Sequence, residues 1–154
     1  MSDDLYAKEL LRWAADASRA GVARGWLWLS LLALIGSGAL SIVLVLSRAP
    51  QFQHLLPLAD FFRVALVVHV DLSVLVWFVS IGGILWTLSG STRAMGLNRA
   101  ALATCALGTL LMTLSPFIGR GGPLMANYIP VLDDPVFLWG LVIFGAGALL
   151  LVAR

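Results

Sequence analysis

One of the most apolar stretches of the chain, FFRVALVVHVDLSVLVWFVSIGGILW (residues 61–86), carries a histidine, His69, and an aspartate, Asp71. Hydrocarbon solvates neither group, so each requires a specific partner. An imidazole in such a place ligates a metal, relays a proton, or holds a structural hydrogen bond. On a helical wheel of about 100° per residue, Ser73, Ser80, Gly83 and Thr87 fall within about 40° of His69. This stripe of small residues lets another object approach closely, either a second helix or a planar cofactor. Asp71 falls about 200° round from His69 on the same wheel. It is therefore poorly placed to orient the imidazole. It either meets an arginine of another helix or is carried in its neutral form.

The supply of ligands limits the chemistry. A neutral imidazole is the usual axial ligand of a haem iron. The chain has only two histidines, and His54 lies in a polar connection outside the apolar runs. A four-helix di-haem site needs four, so one haem with two imidazole ligands cannot be closed by these helices alone. A non-haem metal meets the same shortage. The single cysteine, Cys105, excludes an internal disulfide, a Cys-Cys metal site and a CxxCH haem attachment. With Ala101 and Thr109 four residues to either side, Cys105 is expected to line a close helix contact.

The elements that position His69 follow from composition. The chain is 60% hydrophobic and 12% charged. The apolar residues gather in four runs, 26–46, 64–88, 100–118 and 136–153, each about long enough to cross roughly 30 Å of hydrocarbon. In lipid the backbone must satisfy its own hydrogen bonds, so the runs are expected to be helices. The expected fold is all-α, integral to the membrane, with four transmembrane helices. The N-terminal segment is too acidic for a cleaved signal and its apolar run too long. Tyr6, Leu10, Trp13, Ala14 and Ala17 share one side of a wheel, with Lys8, Glu9, Arg12, Asp16 and Arg19 opposite. This predicts a cytoplasmic amphipathic segment over 1–24, either a helix resting in the membrane interface or an extension of the first helix packing on another subunit.

Lys8, Arg12, Arg19, Arg24, Arg93, Arg99 and Arg154 fall on one side of the spans; Arg48, Arg63 and Arg120 fall on the other. The basic excess places both termini in the cytoplasm of a multi-pass inner-membrane protein. The net charge of +2 then reflects topology and implies no nucleic-acid partner. His69 lies six residues past Arg63, about 9 Å deeper, in the outer third of the bilayer. Pro116 is expected to kink the third helix near its outer end. Trp26, Trp28, Trp77, Trp86 and Trp139 read as interface anchors and packing groups.

The run VVHVDLSVLVWFVSIGGILW resembles the second helix of the catalytic subunit of the haem–copper oxidase superfamily. That superfamily includes cytochrome c oxidase subunit I and the large subunit of nitric oxide reductase. The reductase branch has a similar His-x-Asn-Leu run followed by Val-Trp. LSRAP closing the first helix, QHLLPLADFFR leading into the histidine helix and NYIPVLDDPVFLWGL leading into the fourth agree in order. On this resemblance residues 25–154 correspond to helices one to four of an oxidase subunit I-like domain, the N-terminal third of such a subunit.

The resemblance implies that His69 is an axial ligand of a low-spin haem, of b or a type. The haem would lie toward the outer face, with its macrocycle edge near Ser73 and the small-residue stripe. Arg63 and Arg120 are the nearest outer cations, placed either at the haem propionates or at lipid headgroups; Gly121 and Gly122 offer backbone amides beside Arg120. The implied function is a part in a respiratory terminal oxidase reducing oxygen to water, with a nitric oxide reductase as the alternative. Copper and a second haem belong only to the complete subunit. Partners would be the remaining helices or subunits and a cytochrome or quinol donor. Two other readings stay open: a non-catalytic four-helix membrane subunit with a structural histidine, and a homodimer sharing one haem between two copies of His69.

Overall fold

The computed structural model describes Lys8, Arg12 and residues 17–49, 58–90, 94–119, 121–124 and 130–153. Four helical spans are long and apolar enough to cross a membrane. The first, α1, runs Ala17–Leu46. The second is one continuous helix in three parts: α2 (Leu58–Val70), a π-helical segment (Asp71–Val76) and α3 (Trp77–Ser89). The third is α4, Met95–Ile118, and the fourth is α5, Pro135–Val152. Between α4 and α5 lies an antiparallel pair of two-residue strands, β1 (Pro123–Leu124) and β2 (Val131–Leu132), in register Pro123 to Leu132.

The outside of the bundle is apolar, and its mainly apolar core holds a set of polar side chains. Trp28, Ile42, Phe78, Trp139 and Leu149 are exposed. Ser30, Ser37, Asp71, Ser80, Thr87, Asn98, Thr109 and Ser115 are buried. Water would not tolerate that surface, whereas a bilayer requires it. This is the architecture of a multi-pass membrane protein.

Lipid tails are as apolar as leucine, so burial of leucine alone does not bring such helices together. Close backbone approach does, and α4 and α5 achieve it through glycine. A Cβ on Gly108 would lie 2.5 Å from the Phe144 nitrogen and 2.6 Å from the Gly140 carbonyl. One on Gly147 would lie 2.6 Å from Cys105 Sγ. Cys105 is fully buried there, and its thiol lies 3.6 Å from the Phe144 carbonyl, as expected of a residue lining a close contact.

Local signals end and cap the helices. Asp134 Oδ1 accepts from Val136 N at 2.9 Å and Phe137 N at 3.1 Å, with Pro135 opening the helix. Pro116 lies inside α4, and the helix continues past it to Ile118. Its ring denies the Met112 carbonyl its usual donor, and Ser115 Oγ donates to that oxygen at 2.8 Å. Where α1 ends and α2 begins, the Arg48 guanidinium stacks 4.7 Å from the Phe62 ring centroid.

Of the two readings of the N-terminal segment, α1 follows the helix extension from Ala17 onward. It begins at Ala17, nine residues before the apolar run starts at Trp26. Arg19 and Arg24 lie within it. Arg19 is buried, and its Nη1 donates to the Leu88 carbonyl at 3.4 Å, so this charge is accommodated by the end of α3. Of the expected amphipathic segment, only Lys8, Arg12 and residues from 17 onward are described.

Gly108→Val should destabilise the α4–α5 pair by about 1–3 kcal/mol through overpacking. Gly145→Ala, placed where a Cβ meets nothing within 4 Å, should change stability by no more than about 0.5 kcal/mol. Reversible unfolding in mixed micelles measures both.

Candidate functional site

His69 occupies the next-to-last position of α2, directly before the helix widens. Its ring is half-buried against α1. Nδ1 lies 2.9 Å from the Ser37 main-chain carbonyl and 2.8 Å from Ser37 Oγ. The Ser37 hydroxyl also reaches the His69 carbonyl at 3.0 Å. Ser73 Oγ donates to that same carbonyl at 2.8 Å and to the Val70 carbonyl at 3.2 Å. Nε2 makes no hydrogen bond among the described residues. One side of the imidazole is thus pinned to α1, and the other nitrogen is left over.

The widening begins at Asp71. The N–H of Trp77 reaches back five residues to the Leu72 carbonyl, the π-helical pattern. π segments inside α-helices are rare and often mark functional sites. Asp71 is buried, and its Oδ2 has no hydrogen-bond partner among the described residues. It meets neither the imidazole nor an arginine there.

The small-residue stripe has a clear occupant lower in the helix. A Cβ on Gly83 would collide with the Trp26 indole of α1. Trp26 is fully buried, and its Nε1–H donates to Asn98 Oδ1 at 3.1 Å. Asn98 Nδ2 donates to Thr87 Oγ1 at 2.7 Å, and Thr87 donates to the Gly83 carbonyl at 2.6 Å. Of the two objects the stripe allowed, a helix fills it at Gly83 and Thr87. Ser80 Oγ, one turn above, is buried without a hydrogen-bond partner among the described residues. Ser73 acts on the backbone of His69, as a clamp on its carbonyl.

Arg63 is exposed in the first half of α2. Arg120 and His54 lie outside the described residues. The flanks of Arg120 are closely packed: a Cβ on Gly119 would meet the Asp134 carboxylate, and one on Gly121 the Asp133 carbonyl. Among the described residues no group of three His, Cys, Asp or Glu side chains comes together for a metal ion. The site therefore offers one imidazole nitrogen.

Ser37 and Asn98 were not singled out by residue type, and Trp26 was read only as an interface anchor or packing group. Ser37 stands in Gly36-Ser37-Gly38, a run that reads as simple close packing. Asn98 lies at the polar start of its helix, where an amide is unremarkable. Only the pairing across helices gives each its role.

No family model matches the chain, and no solved structure matches it. It is 32% identical, over 84% of its length, to an uncharacterized protein of Rickettsia prowazekii, of which it spans 30%. It is 29% identical, over 81% of its length, to an uncharacterized protein of Aquifex aeolicus, of which it spans 31%.

Asn98→Ala should strand the Trp26 N–H in the bundle interior, while the Thr87 hydroxyl keeps its bond to the Gly83 carbonyl. The expected loss is about 1–3 kcal/mol, the cost of leaving a buried polar group unpaired. Thermal unfolding in detergent, followed by tryptophan fluorescence, reads it.

Proposed function

We propose that this chain supplies one axial ligand, His69, to a low-spin haem in a membrane oxidoreductase of the haem–copper oxidase type. The observation that carries this reading is the state of the imidazole. Its Nδ1 is held by Ser37, while Nε2 has no hydrogen bond among the described residues and opens to the surface of the bundle, toward lipid or another helix. A purely structural histidine would leave that nitrogen wasted at a cost. A metal-ligating histidine binds through one nitrogen and gives the other ring N–H to a carbonyl or carboxylate, and Ser37 offers the carbonyl. The donor set thus fits one axial position.

When bound, such a haem supplies one-electron transfer between donor and catalytic centre. The residues of this chain orient the ligand. Ser37 and Ser73 fix the carbonyl of His69, and the α1–α3 contact at Trp26 fixes the helix that carries it. The other axial ligand, and the copper and second haem of a complete oxidase, call for residues from further helices. Coverage of only 30% and 31% of two relatives supports that arrangement. The proposed parent reaction is reduction of oxygen to water, with nitric oxide reduction as the alternative. Electrons would come from a cytochrome or quinol. The proposed location is the inner membrane with both termini cytoplasmic, supported by seven basic residues on one side against three on the other.

The second reading is a non-catalytic membrane subunit. It is favoured by the same Ser37 contact, which ties α1 to the second span whether or not iron is present.

His69→Ala, purified from haem-replete membranes with its accompanying subunits, should lose the low-spin haem bands in reduced-minus-oxidised absorption. His69→Met should keep ligation and raise the potential. Normal bands in the alanine variant, or function restored better by glutamine than by methionine, would exclude the ligand role. For the topology, a cysteine at position 48 should be labelled from the outer side and one at 93 from the cytoplasmic side. Labelling of both from one side would overturn it.

A further inference from the structure

We infer that Ser37 is the positioning residue of His69, holding the ring as the tautomer with its proton on Nδ1 and its lone pair on Nε2. This rests on the ligand reading only for its functional meaning; the tautomer itself follows from the hydrogen bonds.

Three short contacts join the two residues, and few hydrogens are available to fill them. The Ser37 hydroxyl has one proton and two acceptors in reach, the His69 carbonyl at 3.0 Å and Nδ1 at 2.8 Å. If Nδ1 is bare, the hydroxyl proton goes to it. The Nδ1 lone pair then also faces the Ser37 carbonyl oxygen at 2.9 Å, acceptor against acceptor. If Nδ1 carries the proton, it donates to that carbonyl, with the hydroxyl oxygen as a second acceptor. The Ser37 hydroxyl is then free to donate to the His69 carbonyl. Every contact is attractive only in this second arrangement. In a low-dielectric interior the difference between matched and mismatched pairs is magnified.

A carbonyl oxygen has two lone pairs, so the Ser37 carbonyl can serve its own helix and the imidazole together. Ser37 thus acts twice, by its main chain on the ring and by its side chain on the backbone of His69. The result is an Nε2 lone pair presented without any carboxylate partner. Asp71, two residues on, makes no hydrogen bond to the ring among the described residues.

The test is nitrogen NMR of the haem-free chain with labelled imidazole, in alkaline buffer, in a His54→Gln background so that His69 alone is seen. The expected spectrum has a protonated Nδ1 and a bare Nε2. Ser37→Ala should keep this tautomer, because the acceptor is main chain. Ser37→Leu should push α1 away and let both tautomers populate. A proton on Nε2 in the parent chain overturns the inference. So does an unchanged spectrum in a folded leucine variant, or a switch of the proton in the alanine variant. Because no haem is present, failure here is read separately from failure of His69 to ligate iron.

Discussion

The Trp26 indole lying flat over Gly83 sets the geometry on which the rest of the bundle depends. It brings α1 against the second span at a distance that no larger residue than glycine allows. The indole N–H then passes the contact on to Asn98, and so to α4. In a bilayer, where apolar burial gives helices no preference for each other over lipid, such a contact is what specifies a partner. The same approach, carried along α1 for about three turns, brings Ser37 to the imidazole. The glycine contacts between α4 and α5 form a second, independent pair. Arg99 donating to Ser18 at 2.9 Å and the Phe61–Phe117 rings at 5.8 Å join the pairs at their two ends.

The spans were legible in the sequence because a membrane helix is announced by length and apolarity alone. The runs at 64–88, 100–118 and 136–153 match helices whose ends lie within a few residues, apart from the polar first turn of α4 from Met95. The start of α1 was legible only as one of two readings, an interfacial helix or an extension of the first span. What selects the extension is not in the local pattern: Arg19 finds a carbonyl on α3 and stays inside the helix. The clustering of Gly108, Gly140 and Gly147 was visible only as composition, since what makes them contacts is the facing helix.

For the site, His69 stood out because an imidazole amid hydrocarbon has few explanations. Its depth follows from counting residues. Its partner does not: Ser37 is 32 residues away, and no local pattern links them. The wheel also assumed a uniform 3.6 residues per turn. The π segment departs from that period directly after His69, so angles carried across it from His69 to Ser80 or Gly83 accumulate error. These residues nonetheless share the buried face, because the sequence spacing and the wider turns were matched to the Trp26 contact together.

That matching has a consequence for how this stretch can change over generations. A π segment is the footprint of an extra residue accommodated in an α-helix. Removing one residue between Asp71 and Val76 would return the widened turns to the ordinary period, and the lost residue and the tighter winding nearly cancel. Gly83 would stay under the indole, and His69, on the near side, would keep its seat on Ser37. The same deletion in the regular helix between Trp77 and Gly83 would instead turn the glycine by about 100° and bring another residue to the indole. Two homologous chains aligned through this helix are therefore expected to tolerate a one-residue difference in length between the histidine and Trp77, and none between Trp77 and the glycine.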